Sequence, residues 1–417
     1  MTGLQVSAKN WGGNITFGAR RLLRPRTVDE LRGMVAGADR IRALGTGHSF
    51  SRVADTPGDL VSLADLPPRL EIGPDTVIVG AGMRYGEVVG PLDAAGRALH
   101  NLGSLPHIAV GGACATGTHG SGDGNRCLAG AVVGLELVTA GGELVRIAHG
   151  DRDFAGSVIS MGRLGVVTAI TLRTQPAYEI QQVVYEDLPF EVLDDLDATF
   201  GTAYSVSLFT RYRRPVLDMA WFKRRVDPGA PWVPPETWHG GTRAPEQRHP
   251  VPGERGDECT PQDGLPGPWH TRLPHFRLEF TPSKGEEIQS EYFVPRKHGA
   301  AAVRAVQAMG ERLAPVLLVG EIRTVAADDL WASMAYGRDS VALHFTWVQD
   351  QAAVEAVVAE LEAVLAPFAP RPHWGKVFTT PVEEVAAAWD RLPDLRRLAD
   401  RMDPDGVFAN EFTDRYF

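Results

Sequence analysis

Read as a pattern of apolar and polar positions, the chain up to Gln175 breaks into short β-type runs separated by turn residues. These are LVSLADL, DTVIVGAGM, AVVGLELVTA, ELVRIA and GVVTAITLRT. Helical spacing enters twice. Thr27 and Glu30 form a capping-box pattern ahead of Leu31, Met34 and Val35, and YGEVVGPLDAAG predicts a second helix. IRALGTGHSFS reads as a strand running straight into a glycine turn. From Pro176 the strand candidates lengthen: YSVSLFTRY, MAWFKRRV, HFRLEFTP and IQSEYFVP, then VLLVGEIRTVA, VALHFTWVQ and HWGKVFTT. Two more helices are predicted among them. One carries Val303, Val306, Met309 and Leu313; the other carries Val354, Val357, Val358, Leu361, Val364 and Leu365 and stops at Pro367. Strands do not alternate strictly with helices, and no GxGxxG opens a helix after a first strand. The fold class is therefore α+β and not a Rossmann domain. A Pro/Gly-rich stretch over residues 227–274 is too long for an ordinary connection and reads as an ordered functional excursion or a lid.

Length and charge narrow the function. At 417 residues, with 44% hydrophobic and 23% charged content, two domains of an ordinary globular enzyme are expected. A net charge of -10 without a basic run repels phosphate backbones, so nucleic acid is not an expected partner. The opening MTGLQVSAKNWGGN lacks a secretory pattern, and no stretch approaches the roughly 20 apolar residues that span a bilayer. A cytoplasmic protein without membrane attachment is expected. Cys114, Cys127 and Cys259 lie far apart without metal-type spacing, which leaves them small apolar packing roles and predicts no metal site.

The chemistry concentrates in three places. In Gly45-Thr46-Gly47-His48-Ser49, two glycines after a strand let backbone N–H groups approach an anion. On pattern alone, His48 fits a hydrogen-bonded structural residue as readily as a functional one. Gly103-Ser104-Leu105-Pro106-His107 and then Gly111 to Gly122 form a run of Gly, Ala, Ser and Thr with little side-chain bulk, suited to an extended diphosphate cofactor. Gly162-Arg163-Leu164-Gly165-Val166-Val167 adds a third piece. Finally, residues two apart on a strand share a face, so Glu321 pairs with Arg323, His344 with Thr346, and Lys376 with Phe378. Such a face is either a polar binding surface or a solvated face with ordinary ion pairs.

The segments NWGGNITF, LGTGHSF, SLPHIAVGG, ATGTHGSG, LGVVT, AYSVSLFT, PGPWH, LPHF, EIRTVAAD, HFTWV and RPHWGKVF resemble the vanillyl-alcohol-oxidase-type flavoproteins, in the branch of sugar and alditol oxidases, over essentially the whole length. The resemblance implies a two-subdomain PCMH-type FAD-binding domain over residues 1–178. It implies a cap domain over 179–395, like that of aldonolactone oxidases, with a large antiparallel sheet flanked by helices. Residues 396–417 would return to the first domain, and the chain would act as a monomer. FAD would be linked covalently through His48, with His107 and His119 as weaker rivals for the link. Cofactor contacts would fall on Gly45, Thr46, Gly47, Ser49, Gly103, Ser104, Ala109, Gly112, Ala113, Cys114, Ala115, Thr116, Gly117, His119, Gly165, Val167 and His373.

The resemblance further implies oxidation of the terminal primary hydroxyl of alditols such as xylitol, sorbitol or glycerol to the aldose, by hydride transfer to flavin N5. Dioxygen would be reduced to hydrogen peroxide. The polyol would be bound by Ser104, Glu321, Arg323, Thr346 and Lys376. Arg323 and Lys376 would stabilise the developing alkoxide, Glu321 would orient a hydroxyl, and Lys376, or else His344, would take the proton. A sugar-lactone oxidase or dehydrogenase, and a catalytically silent carbohydrate-binding scaffold, are the alternatives.

Overall fold

The computed structural model describes residues 9–226, 232–280 and 286–417. The expected lack of a secretory pattern rests partly on residues 1–8, and the long excursion begins at 227–231; these lie outside the described residues, as does the end of HFRLEFTP.

Two larger sheets, beside a two-stranded pair of Arg97–Ala98 with Gln175–Pro176, build the first half. Arg21–Leu23 and Ile41–Ala43 flank Asp59–Val61 in a parallel three-stranded sheet. An antiparallel five-stranded sheet runs Leu70–Ile72, Thr76–Gly80, Val166–Arg173, Val132–Val138, Leu144–Ala148. The helix Val28–Ala36 starts where its cap predicts: the Thr27 hydroxyl accepts from the Glu30 N–H, and Leu31 and Val35 turn into the core. Tyr85–Ala94 is the second expected helix. All three cysteines are free and buried, and Cys114 packs against the Tyr85 hydroxyl.

The second half is organised by a ten-stranded antiparallel sheet. Its long strands lie in the order Glu179–Pro189, Val216–Arg225, Ser205–Thr210, Leu317–Val325, Ser340–Val348, Glu287–Pro295. One face is apolar: Leu208, Ile322, Leu343, Phe345, Trp347 and Ile288 pack against Val303 and Val306 of one helix and Val354, Val357, Val358 and Leu361 of another. The other face turns towards the first half and carries the polar residues of the site. The α+β expectation, with a large antiparallel sheet flanked by helices, holds. The chain then re-enters the first core, with Trp374, Val385, Trp389, Leu395, Leu398 and Phe408 packed among residues of the first half. The return therefore begins well upstream of residue 396. Asp403 secures it through Arg163 at 2.5 Å, and Arg42 donates to the Phe408 carbonyl at 2.7 Å.

Three sequence expectations are corrected, and one long strand was not anticipated. Over its described residues, 275–280, HFRLEFTP forms no strand; one isolated bridge joins Phe276 to Cys259, and the N–H groups of His275 and Phe276 are both directed at the Ser104 carbonyl. HWGKVFTT is not a continuous strand: after Arg371–Pro372 the backbone turns, with the Lys376 N–H on the His373 carbonyl at 3.0 Å. Lys376 and Phe378 are consequently not face partners on a strand. The helix expected through Leu313 breaks into Gly299–Gln307 and Gly310–Leu313, because Gly310 abuts the Tyr212 carbonyl. Finally, Glu179–Pro189 is a central strand without an alternating pattern, since Ile180 to Tyr185 are buried on both faces. The described part of the excursion lies along this strand, where Arg248 clamps Glu186 at 2.8 and 3.0 Å.

Candidate active site

Three adjacent strands put one polar row across the sheet. Glu321 is in register with His344, and His344 with Glu291. Arg323 and Thr346 lie on the same face, while Ile322, Phe345 and Trp347 point into the helix-covered core, as a period of two requires. Glu321, Arg323, His344 and Thr346 are only 5 to 8% exposed, so this is a buried polar surface and not a solvated face.

The pairing inside it is specific. Arg323 Nη2 donates to Glu291 Oε1 at 2.5 Å, and Nε2 of His119 meets the same oxygen at 3.0 Å. Arg323 Nε stands 3.6 Å from Glu321 Oε2, beyond hydrogen-bond range, and is a buried N–H without a partner among the described residues. Burial raises the Glu321 carboxyl, but Arg323 and then His275 outweigh it and hold it well below the usual carboxylate range. Glu291 is likewise held low, against burial, by His119 and Arg323.

The turn at Gly375 delivers Lys376. His373 N–H and Val377 N–H bond to the Glu291 and Gln289 carbonyls on either side of that turn. Lys376 therefore projects beside Gln289, and its ammonium donates to Gln289 Oε1. His344 Nε2 donates to the same oxygen at 3.1 Å. Burial lowers the Lys376 ammonium to about 8, with Glu291 opposing the shift and Arg323 adding to it. Burial pushes His344 down to about 3, so its ring is neutral and weakly basic. His373 is buried, and its Nδ1 accepts from the Gly375 N–H at 3.0 Å.

The same turn is laced to the glycine loop. Phe50 N–H bonds to the Gly375 carbonyl at 2.7 Å, Ser51 Oγ to the Trp374 carbonyl at 2.6 Å, and a Cβ on Gly375 would lie 3.2 Å from Ser49 Oγ. Gly47 takes φ +71°, and His48 then stacks on Trp11 at 5.0 Å and bonds Thr46 Oγ1 through Nδ1 at 3.0 Å. Burial, then Lys376 and His107, lower the His48 ring to about 4. Thr46 Oγ1 also receives the Ala109 N–H, which draws in the second glycine-rich segment. A Cβ on Gly45 would rest 3.4 Å from Ala109, and one on Gly112 would meet nothing within 4 Å.

The remaining expected residues divide. Ser104, Ala115, Thr116 and Val167 are half-buried, whereas Gly103, Ala113, Cys114, Gly117 and Gly165 are enclosed. Of the rival histidines, His119 is committed to Glu291 and the Gly120 carbonyl, and His107 Nε2 reaches the Leu278 carbonyl.

Four residues that sequence reasoning did not single out belong to the site. Glu291 and Gln289 share a face of IQSEYFVP, a polar pair at period two inside an apolar strand, which is the signal that could have found them. His275 sits in the LPHF segment and meets Glu321 Oε1 at 2.9 Å; Lys223, on Val216–Arg225, one strand removed from that of Glu321, meets His275 Nδ1 at 3.1 Å. No local signal marks that last pair, because the excursion separates them in sequence.

Known proteins agree with this architecture. Residues 19–148 match the FAD binding domain family, and residues 282–416 match the D-arabinono-1,4-lactone oxidase family. The chain is 48% identical to alditol oxidase of Streptomyces sp., covering 98% of each chain. It is 30% identical to L-gulono-1,4-lactone dehydrogenase of Mycobacterium tuberculosis, covering 97% of this chain and 98% of that one. Among solved structures, cholesterol oxidase from B. sterolicum superimposes with a TM-score of 0.78 at 16% identity, over 100% of this chain and 97% of the other, and shares the fold. Near-complete coverage at 48% identity, together with an FAD-binding first half and a lactone-oxidase-type second half, establishes that this chain belongs to the alditol oxidase family of PCMH-type flavoproteins.

Proposed function

We propose that this protein oxidises the terminal primary hydroxyl of small alditols, such as xylitol, sorbitol or glycerol, to the aldose, using FAD attached through His48 and dioxygen as the final acceptor. The observation that carries the reading is the Nε–H of Arg323, without a partner among the described residues, buried beside Glu321 on an enclosed polar face and within electrostatic reach of Lys376. Leaving such a donor unmade costs about 1–3 kcal/mol, so the face is built for an added oxygen. A neutral polyol offers several hydroxyls that both donate and accept, which matches a carboxylate, a guanidinium, a hydroxyl and an amine held together.

The residues present fit FAD. Gly45, Ala109 and Gly112 leave a shallow cradle next to His48, and the His48 ring is kept neutral, as a nucleophilic imidazole must be. When bound, the flavin supplies the two-electron acceptor for the carbinol C–H and passes the electrons to dioxygen as hydrogen peroxide. Arg323 binds the reacting hydroxyl and stabilises the charge that develops as it loses its proton. Lys376, lowered to about 8, takes that proton from the oxygen. Glu321 accepts from a neighbouring hydroxyl, with Ser104 and Thr346 holding the rest of the chain. Gln289 fixes both the amine and His344 from behind.

The first test is to denature the purified protein, separate it from small molecules and look for flavin absorbance on the polypeptide, with His48→Ala as control. Retained colour that the variant lacks, followed by peroxide release with polyols, is the expected result. Colour released from the wild type on denaturation would remove the histidyl link, and absence of flavin or of any polyol-dependent peroxide would overturn the reading.

A further inference from the structure

Glu321 is reached from behind by a chain of buried groups that no step above uses. Lys223 is 1% exposed, and its Nζ donates to the carbonyls of Leu273 and Pro274 and to Nδ1 of His275, the last two at 3.3 and 3.1 Å. An ammonium has three N–H groups and no lone pair, and here it meets three acceptors. Nδ1 of His275 must therefore accept, which leaves the ring proton on Nε2, pointed at Glu321 Oε1 2.9 Å away. The backbone N–H groups of His275 and Phe276 bond to the Ser104 carbonyl at 3.1 and 3.3 Å. One short segment thus touches both Glu321 and the Ser104 loop.

We propose that Lys223 and His275 are positioning residues: Lys223 fixes the tautomer of His275, and His275 in turn holds Glu321 as a hydrogen-bond acceptor turned towards the substrate. The proposal rests on the polyol-oxidation reading for its kinetic consequence, though not for its geometry. The charged or titratable groups facing the pair are Glu321, Arg323 and Cys259. Burial and then Lys223 push the His275 ring to about 4, which keeps it neutral, and burial brings the Lys223 ammonium to about 7. If Lys223 is removed, only the Glu321 carboxylate still holds the proton on Nε2, and Nδ1 becomes a buried nitrogen without its donor. Molecules that shift the proton to Nδ1 present a bare Nε2 that repels the Glu321 oxygen, and the carboxylate then turns towards the Nε–H of Arg323.

The test is run at about pH 6, where the three-donor ammonium prevails. Nitrogen NMR of the histidine-labelled holoenzyme, with His275→Gln to assign the signal, is expected to show His275 as the Nε2–H tautomer. Lys223→Met is expected to raise KM for a polyol about tenfold or more while kcat changes by less than about threefold. A glutamine at 275 carries its own N–H for Glu321 and needs no lysine. In the His275→Gln background, Lys223→Met should accordingly raise KM by less than about threefold. An Nδ1–H or doubly protonated His275, or effects of the two substitutions that simply multiply, overturns the proposal. If Lys223→Met does not fold, or if the wild type oxidises no polyol, the tautomer of wild-type His275 decides this inference alone, and only the second of these outcomes counts against the functional reading.

Discussion

Glu291→Gln is the most informative single change, because it keeps the shape of the side chain and removes one charge from the centre of the polar row. Glu291 and Arg323 are 1% and 7% exposed at the side chain and 2.5 Å apart. Breaking a buried pair by neutralising one partner costs about 3–5 kcal/mol, and Glu321 at 3.6 Å leaves Arg323 some compensation, which places the loss near about 3 kcal/mol. With an unfolding entropy of about 2.1 cal/mol/K per residue, the 417-residue chain loses about 0.9 kcal/mol per degree near its midpoint, so the melting temperature should drop by about 3–4 °C. A second effect follows from the same charge. Glu291 raises the Lys376 ammonium, and without it the pH at which Lys376 becomes a free amine moves lower. The assay is a thermal melt paired with kcat/KM against pH. A melting temperature unchanged within about 1 °C, or an acid-side limb of the profile that stays put or moves upward, refutes the view that Glu291 is the counter-charge of this site.

For the wild type, the proposed role of Lys376 as proton acceptor requires its free amine, so kcat/KM should fall about tenfold per pH unit below about 8 and level off above it, and a pH titration of Lys376→Met should lack that limb. Gly310→Ala would place a Cβ 2.1 Å from the Tyr212 carbonyl, and calorimetry should report a loss of about 1–3 kcal/mol with the flavin content intact.

Some of this architecture was legible in the chain and some was not, for identifiable physical reasons. Strands with one polar and one apolar face, such as those carrying Glu321, Arg323, His344 and Thr346, announce both their element and their facing through a period of two. Glu179–Pro189 does not: covered on both sides, it keeps Gln181 and Gln182 buried through hydrogen bonds to loop carbonyls, and alternation disappears. HWGKVFTT has strand-like composition, yet Gly375 lets it turn at the residue that brings Lys376 to Gln289. His275 and Lys223 illustrate the wider limit. Their partnership is made by tertiary contact across the excursion, and neither residue's neighbours in sequence hint at it.

The late return of the chain has a consequence for how the protein is made. The His48 loop is held by the carbonyls of Trp374 and Gly375, and the first core is closed by residues up to Tyr416. A ribosome that has finished the first half has therefore produced neither a complete core nor a supported His48 loop. A chain interrupted before Trp374 would expose the unfinished core to proteases and chaperones instead of leaving a free-standing first domain.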